Sequence, residues 1–337
     1  MGTESTAFNN YVYDPARASA GYVKLVRSIR EQTGISLGEI LDPHIIPARA
    51  GKVFDILARS GHGKTTFMSA IAKQHARKIV EAGRGGIVVY ATWETPVEEL
   101  EAFFQPKDGF DVSDLAWGRI DVGKVVSLTG ERLNIPIWTI GTSLYGDSSK
   151  KPMTVDELFE AIVSIESLTG KTVEACFVDY VQAVHIQDER DRYNQVTKAA
   201  RLMRQLSMQA KTPVILGVQA NQRVDDVVGR YPTPRIRDAE WSSVITQDAD
   251  TVISLWRPIK SFDPTIKPTL EIAGKTYNLD HNLLVVDLLK QRWAKGSGRY
   301  VMNLEPSTLE ISARNDNVYE QSPESGKASL NHLLDTL

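Results

Sequence analysis

The sequence predicts an α/β fold, a mostly parallel sheet with helices on both faces. Three observations predict it. Apolar runs of strand length alternate with segments of helical period, the order that builds a parallel sheet covered on both sides. The first buried run, Val53–Ala58, passes straight into a glycine-rich turn and then a helix. The 337 residues, 42% hydrophobic and 24% charged, are enough for one large core.

Met1–Pro15 reads as flexible. Ala16–Gln32 carries Tyr22, Val23, Leu25, Val26 and Ile29 on one stripe, with Lys24, Arg27, Ser28 and Glu31 on the wet side and Arg30 at the edge; Thr33-Gly34 ends this helix. Next come the strand Val53–Ala58 and a helix from Gly63 to about Ala82. The Gly85-Gly86 turn leads into the strand Ile87–Thr92. Pro96–Phe104 is a short helix whose Glu98, Glu99 and Glu101 read as a solvated face. Ile135–Ile140 is a strand, and Val155–Ser167 is a helix with Leu158, Ile162 and Ile165 on one face. Val173–Asp179 (strand), Gln195–Ala210 (helix) and Pro213–Val218 (strand) follow. Thr251–Trp256 and Leu283–Leu289 are late strands, and Tyr300–Leu304 with Thr308–Ile311 forms a closing hairpin. Lys260–His281 has the character of an insertion. The expected organisation is a flexible N-terminus with a linker or docking helix (1–33), one ATPase-sized domain (34–312), and a polar C-terminal tail (313–337) with a short helix over Ala328–Leu337.

The net charge of −3 argues against a protein that coats nucleic acid through bulk charge, so any such contact must be local. No apolar run approaches the ~18 residues of a membrane span. Met1–Ala20 lacks the apolar stretch of a signal peptide, and the single cysteine, Cys176, allows no intrachain disulfide. A cytoplasmic setting is expected. Cys176 lies in an apolar strand and reads as a core thiol.

The turn Arg59-Ser60-Gly61-His62-Gly63-Lys64-Thr65-Thr66 reads as a phosphate cradle for ATP. The strand delivers the chain to the carboxyl edge of the sheet, where ligands bind. Gly61 and Gly63 let the backbone curl so that N–H groups face phosphate oxygens, and the helix adds its positive dipole end. Lys64 supplies a point charge for the β/γ-phosphates, and the Thr65 hydroxyl is placed for Mg²⁺. Ala58 stands where the motif usually begins with glycine. His62 is expected to fill the loop rather than touch phosphate. Asp179, closing the apolar strand Ala175–Val178, is the expected second Mg²⁺ carboxylate. Glu94, after Thr92-Trp93, is read as the group that orients and deprotonates the attacking water; its plainer reading is a helix cap or first-turn residue before Pro96.

Together these blocks resemble the ATPase domain of DnaB-like replicative helicases, from roughly Gly34 to Leu304. The Ala-Arg-x-x-x-Gly-Lys-Thr form of the loop is that family's variant. Trp93-Glu94-Thr95, Val178-Asp179-Tyr180-Val181-Gln182, Val218-Gln219-Ala220-Asn221-Gln222-Arg223, Gln247-Asp248-Ala249-Asp250 and Lys290-Gln291-Arg292 follow in the family's order. The resemblance implies a RecA-like P-loop NTPase core. It implies that Gln219 senses the γ-phosphate. It also implies that Lys290 and Arg292 are fingers reaching a neighbour's ATP in a hexameric ring, where cations stabilise charge on the transferring phosphoryl group. The chain departs from the pattern at Phe103 and Glu240, where the family places arginines, and the stretch before the loop is too short for the family's N-terminal domain.

Two loops are expected to face the centre of such a ring, His185–Arg192 and Arg223–Trp241. The second holds Arg223, Arg230, Arg235 and Arg237, suited to the phosphates of single-stranded DNA. Alternatively these arginines pair with Asp225, Asp226, Asp238 and Glu240. Trp241 is expected to pack beneath the loop rather than stack on a base. Two function classes follow: an ATP-driven DNA helicase or translocase, and a regulatory or assembly ATPase whose oligomerisation controls a partner complex. Partner proteins would dock through the N-terminal helix or the C-terminal tail.

Overall fold

The computed structural model describes residues 14–31, 34–38, 40–105, 111–146, 153–187, 189–226, 231–241, 244–294, 296–305 and 307–314. The expectations for Met1–Tyr13, for the end of the first helix at Gln32-Thr33, for Arg230 and for the tail from Asn315 lie outside the described residues.

A nine-stranded sheet organises residues 35–314. At its centre lies β1 (Val53–Ala58), buried along its whole length. Parallel neighbours flank it: β5 (Val214–Gln219) on one side and β6 (Thr251–Trp256) on the other. Beyond β5 come β4 (Thr172–Asp179), β2 (Gly86–Thr92) and the edge strand β3 (Ile137–Ile140), all parallel. Beyond β6 the sheet turns antiparallel through β9 (Leu283–Gln291), β10 (Gly298–Glu305) and β11 (Glu310–Ala313). The expected parallel sheet and closing hairpin are both present. The strands run one or two residues longer than the apolar runs suggest, because ladder hydrogen bonds continue into half-buried polar positions.

Strand alternation builds two cores. Phe54, Ile56 and Ala58 face one core with Tyr90, Phe177 and Ile215, while Val53 and Leu57 face the other with Val89, Cys176 and Leu216. The helix α1 (Lys64–Glu81) covers the first face with Phe67, Met68, Ile71 and Ile79. α2 (Val155–Thr169) and α3 (Arg192–Gln209) cover the second. α2 starts on a capping box between Thr154 and Glu157 and stops at Gly170, whose φ of 64° a glycine adopts without strain.

Three elements were not foreseen. Short helices at Val112–Ala116 and Val122–Arg132 are capped by Asp111 and Asp121. The second buries none of its residues and leaves Val122 and Val126 exposed, so the chain shows no apolar stripe there. The stretch Lys260–His281 forms a hairpin, β7 (Thr269–Ile272) and β8 (Lys275–Asn278), turning through Ala273-Gly274 at positive φ. It closes a third small core of Leu270, Ile272 and Tyr277 over Trp256, Val285 and Val301.

The solvated-face reading of the helix Val97–Phe104 needs correction. Glu101 makes a bidentate pair with Arg132, and Glu98 accepts the Ser143 hydroxyl and the Leu144 N–H. These bonds, the hydroxyl's foremost, hold the Glu98 carboxyl below its usual range. Both residues tie this helix to the chain beyond it.

The described residues up to Gly34 form a separate unit. Its helix, Pro15–Glu31, leaves Tyr22, Val23, Leu25 and Val26 exposed.

Candidate nucleotide site

β1 ends at Ala58 and α1 begins at Lys64, so the loop between them sits at the carboxyl edge of the parallel strands. Gly61 and Gly63 take φ of 75° and 87°, where side chains are strained. A Cβ on Gly63 would stand 3.1 Å from Leu304 Cδ2, whereas nothing lies within 4 Å of one built on Gly61. The loop is packed behind and open in front.

Lys64, Thr65 and Asp179 meet here. The Lys64 ammonium pairs with Asp179 Oδ1, and Thr65 Oγ1 donates to Asp179 Oδ2 at 2.6 Å. Tyr90 donates its hydroxyl to the same oxygen at 3.2 Å. Burial, then the Asp179 charge, push the Tyr90 phenol upward, so it stays a donor. Beneath the cluster is Gly217 of β5: a Cβ there would lie 3.1 Å from both Lys64 Nζ and Asp179 Oδ1. Tyr90 and Gly217 escaped the sequence reading, since each looks like an ordinary strand residue until the register is known.

The paired oxygens of Thr65 and Asp179 suit a hard cation such as Mg²⁺. No group of three or more His, Cys, Asp or Glu side chains among the described residues would hold a metal alone. The donor set therefore fits an ion whose remaining ligands are phosphate and water.

Thr92 pairs with Asp179 in register, and Trp93 N–H donates to the Asp179 carbonyl. Glu94 thus emerges beside Asp179, exposed, one strand further along the sheet. Pro96 occupies the helix cap position and no side chain caps that helix.

Gln219 is level with Ala58 at the end of β5. Gln182 holds its backbone from both sides, accepting from Gln219 N and donating to Gln219 O. Arg59 reaches away from the loop mouth to Asp225 Oδ2 at 2.9 Å and to the Ala220 carbonyl. His62 is 6% exposed, and its Nδ1 accepts the Arg257 N–H at 3.1 Å. Burial pushes its pKa down to about 4, which keeps it neutral. Its imidazole is loop filling, as expected. Ser60 and Thr66 complete the loop.

Lys290 and Arg292 lie elsewhere. The register runs Asp55, Val252, Lys290 across β1, β6 and β9, so Lys290 is level with Asp55, three residues before the end of β1. Arg292 is further back still. Both point into the end of the short helix Val244–Asp248: Lys290 Nζ donates to the Thr246 and Gln247 carbonyls, and Arg292 to Gln247 O. Burial, then Arg292, lower the Lys290 pKa.

Of the loop arginines, Arg223, Arg235 and Arg237 are exposed at the carboxyl edge after β5. Arg237 comes within 3.9 Å of Asp238. The loop's base is pinned by the Asn221 N–H to the Asp238 carbonyl and by the Ala220–Ala239 bridge. Trp241 is 52% exposed at a φ of 68°. The expectation that it packs beneath the loop is therefore overturned: the left-handed backbone turns the indole outward.

A chain with this fold and loop is a P-loop ATPase-type α/β protein. The profile of the DnaB-like helicase C terminal domain matches residues 39–292, and the chain belongs to that family. It is 26% identical over 223 residues to a probable plasmid replicative DNA helicase of Chlamydia psittaci, covering 64% of this chain and 45% of that protein. The Chlamydia muridarum (strain MoPn / Nigg) protein of the same description is 27% identical over 85 residues, 25% of this chain and 18% of that one. The chain thus spans under half the length of these curated relatives. Among solved structures, an ATPase domain determined on its own superposes with a TM-score of 0.71 at 18% identity, covering 90% of this chain and 100% of that one. A DnaB-like replicative helicase, described with its interactions with primase, gives 0.69 at 19%, covering 88% and 66%. No helix among the described residues is long and apolar enough to cross a membrane.

Proposed function

We propose that this chain is the ATP-hydrolysing motor of a DnaB-like ring acting on single-stranded DNA. The observation that carries the reading is the meeting of Lys64, Thr65 and Asp179 at the sheet's carboxyl edge, with Glu94 on the next strand. ATP would bind with its β/γ-phosphates against Lys64 and the loop N–H groups, displacing Lys64 from Asp179. Mg²⁺, held by Thr65 and through water by Asp179, would supply charge neutralisation at the phosphates. Glu94 would accept the proton of the attacking water, and Gln219 would report the γ-phosphate to the loop after β5. Lys290 and Arg292 are turned from their own loop, which favours service to a neighbouring subunit. Arg223, Arg235 and Arg237, with Arg230, would follow the DNA backbone.

The proposed organisation is the one read from the sequence: an N-terminal docking helix, an ATPase domain over 34–312, and a C-terminal tail. The exposed Tyr22, Leu25 and Val26 support docking on another copy, since each large apolar side chain buried is worth roughly 1.5–3 kcal/mol. A cytoplasmic setting accords with this reading. Glu240, in place of the family's arginine, favours the second reading of a regulatory or assembly ATPase. ATP hydrolysis measured with and without single-stranded DNA, beside strand displacement on a forked duplex, decides between them. Stimulation with displacement supports the motor; hydrolysis with neither supports the regulator.

A further inference from the structure

A cleft of about 590 Å³ opens between α1, the β10–β11 pair and the segment around Leu37–Ile40. It lies well away from the phosphate loop. Lys73, which lines it, is nine residues along α1 from Lys64, roughly 14 Å at 1.5 Å per residue. One wall is apolar: Leu37, Ile40, Phe67 and Ile71 are all buried core residues that also line the cleft. Lys73 is only 4% exposed, and its ammonium has no hydrogen-bond partner among the described residues. A buried cation without a partner is costly and marks a place where a counter-ion belongs.

The other charged groups of the cleft define that counter-ion. Arg77, one turn further along α1, is a second cation. Glu305 and Glu310 enter from β10 and β11. Glu305 is already held by the Ser307 hydroxyl and Asn282. Asp42, on the segment facing α1, is taken by Ser36, the Leu37 N–H and Lys78. Among the described residues, no hydrogen bond joins any of these carboxylates to the Lys73 ammonium. The acids would repel a dianion, and the apolar wall gives a fully hydrated ion nothing to rest on.

We propose that this cleft binds an amphiphilic monocarboxylate, its apolar body on Leu37, Ile40, Phe67 and Ile71 and its carboxylate on Lys73. The volume falls in the ~300–1,000 Å³ range of small-molecule sites. Burial lowers the Lys73 pKa to about 8, with Glu310 partly offsetting and Arg77 reinforcing the shift. Only the charged amine attracts a carboxylate. Roughly nine-tenths of Lys73 is protonated at pH 7 and one-tenth at pH 9, so affinity falls with rising pH by about tenfold.

The test is calorimetric titration of the full chain with 4-phenylbutyrate, 4-phenylbutyramide and inorganic phosphate. Phenylbutyrate binds saturably at pH 7 and about tenfold more weakly at pH 9; the amide and phosphate bind at least tenfold more weakly than the acid at pH 7. Lys73→Met, which replaces the amine with an apolar chain of similar length, abolishes acid binding while ATP still raises its Tm. Ile311→Trp, filling the cleft from β11 with Lys73 intact, also abolishes it. Absence of saturable phenylbutyrate binding, unchanged binding by Lys73→Met, or phosphate binding as tightly as the acid overturns the proposal.

Discussion

Lys64 and Asp179 share one buried ion pair directly over Gly217 of β5. A side chain at 217 would press on both at once, 3.1 Å from each and 3.0 Å from Met68 Sδ. Gly217→Ala is therefore expected to leave a folded protein with a loss of about 1–3 kcal/mol from overpacking. ATP affinity should fall by about tenfold or more, because the lysine can no longer settle between the aspartate and a phosphate. Thermal melting with and without nucleotide checks both; undiminished ATP affinity would remove Gly217 from the site.

Binding and turnover should separate cleanly between two other positions. Lys64→Ala removes the charge that meets the phosphates and should weaken ATP binding about a hundredfold, in line with the loss of a charge-assisted contact worth ~1.5–3 kcal/mol. Glu94→Gln should bind ATP normally and lose at least a hundredfold in turnover, since an amide accepts no proton. Single-turnover hydrolysis after filter binding distinguishes them. Normal hydrolysis by Glu94→Gln would dismiss Glu94 as the base.

Because Lys290 and Arg292 lie behind their own phosphate loop, hydrolysis should depend on subunit contact. Arg292→Ala protein and Glu94→Gln protein should each be inactive alone. Mixed, they should recover activity at interfaces where an intact Glu94 faces an intact Arg292. Turnover per subunit that persists unchanged on dilution to the monomer refutes the arrangement.

His62 gives the loop a pH response. Its folded pKa of about 4 lies below the ordinary 6.5, so the folded state resists the proton that the unfolded chain takes up. The stability held by neutral His62 is complete above pH ~6.5 and is lost as pH falls toward 4, by up to roughly 3 kcal/mol. His62→Asn, whose amide oxygen still accepts the Arg257 N–H, should flatten the slope of unfolding free energy over that window. Urea melts of both proteins at pH 7, 5.5 and 4.5 measure it; parallel slopes would show that His62 titrates normally.

The parts visible in the sequence were those with a strict local period or a fixed chemical order. Val53–Ala58 through Thr66 announced itself, because strand, glycines, lysine and threonine must be consecutive to hold a phosphate. Asp179 followed from an apolar run ending in acid. Tyr90 and Gly217 stayed hidden because their roles arise only from strand register, which brings separate segments together. The helix Val122–Arg132 stayed hidden because it buries nothing and so carries no stripe. Trp241 was misjudged because an indole favours burial in general, while the backbone at that position turns it outward. The hairpin over Trp256 rested on long-range packing that Lys260–His281 alone does not encode.

The placement of β9 has a geometric consequence. One flank of the domain carries the phosphate loop and the opposite end of the sheet carries the cation pair. If the second completes the first on a neighbouring copy, the contact is head-to-tail, and a two-fold dimer cannot satisfy it on both sides. An open row of copies would always end with one loop lacking its cations. Only closure gives every copy a finished site, so the number of working sites would itself count whether the assembly is shut or has a gap.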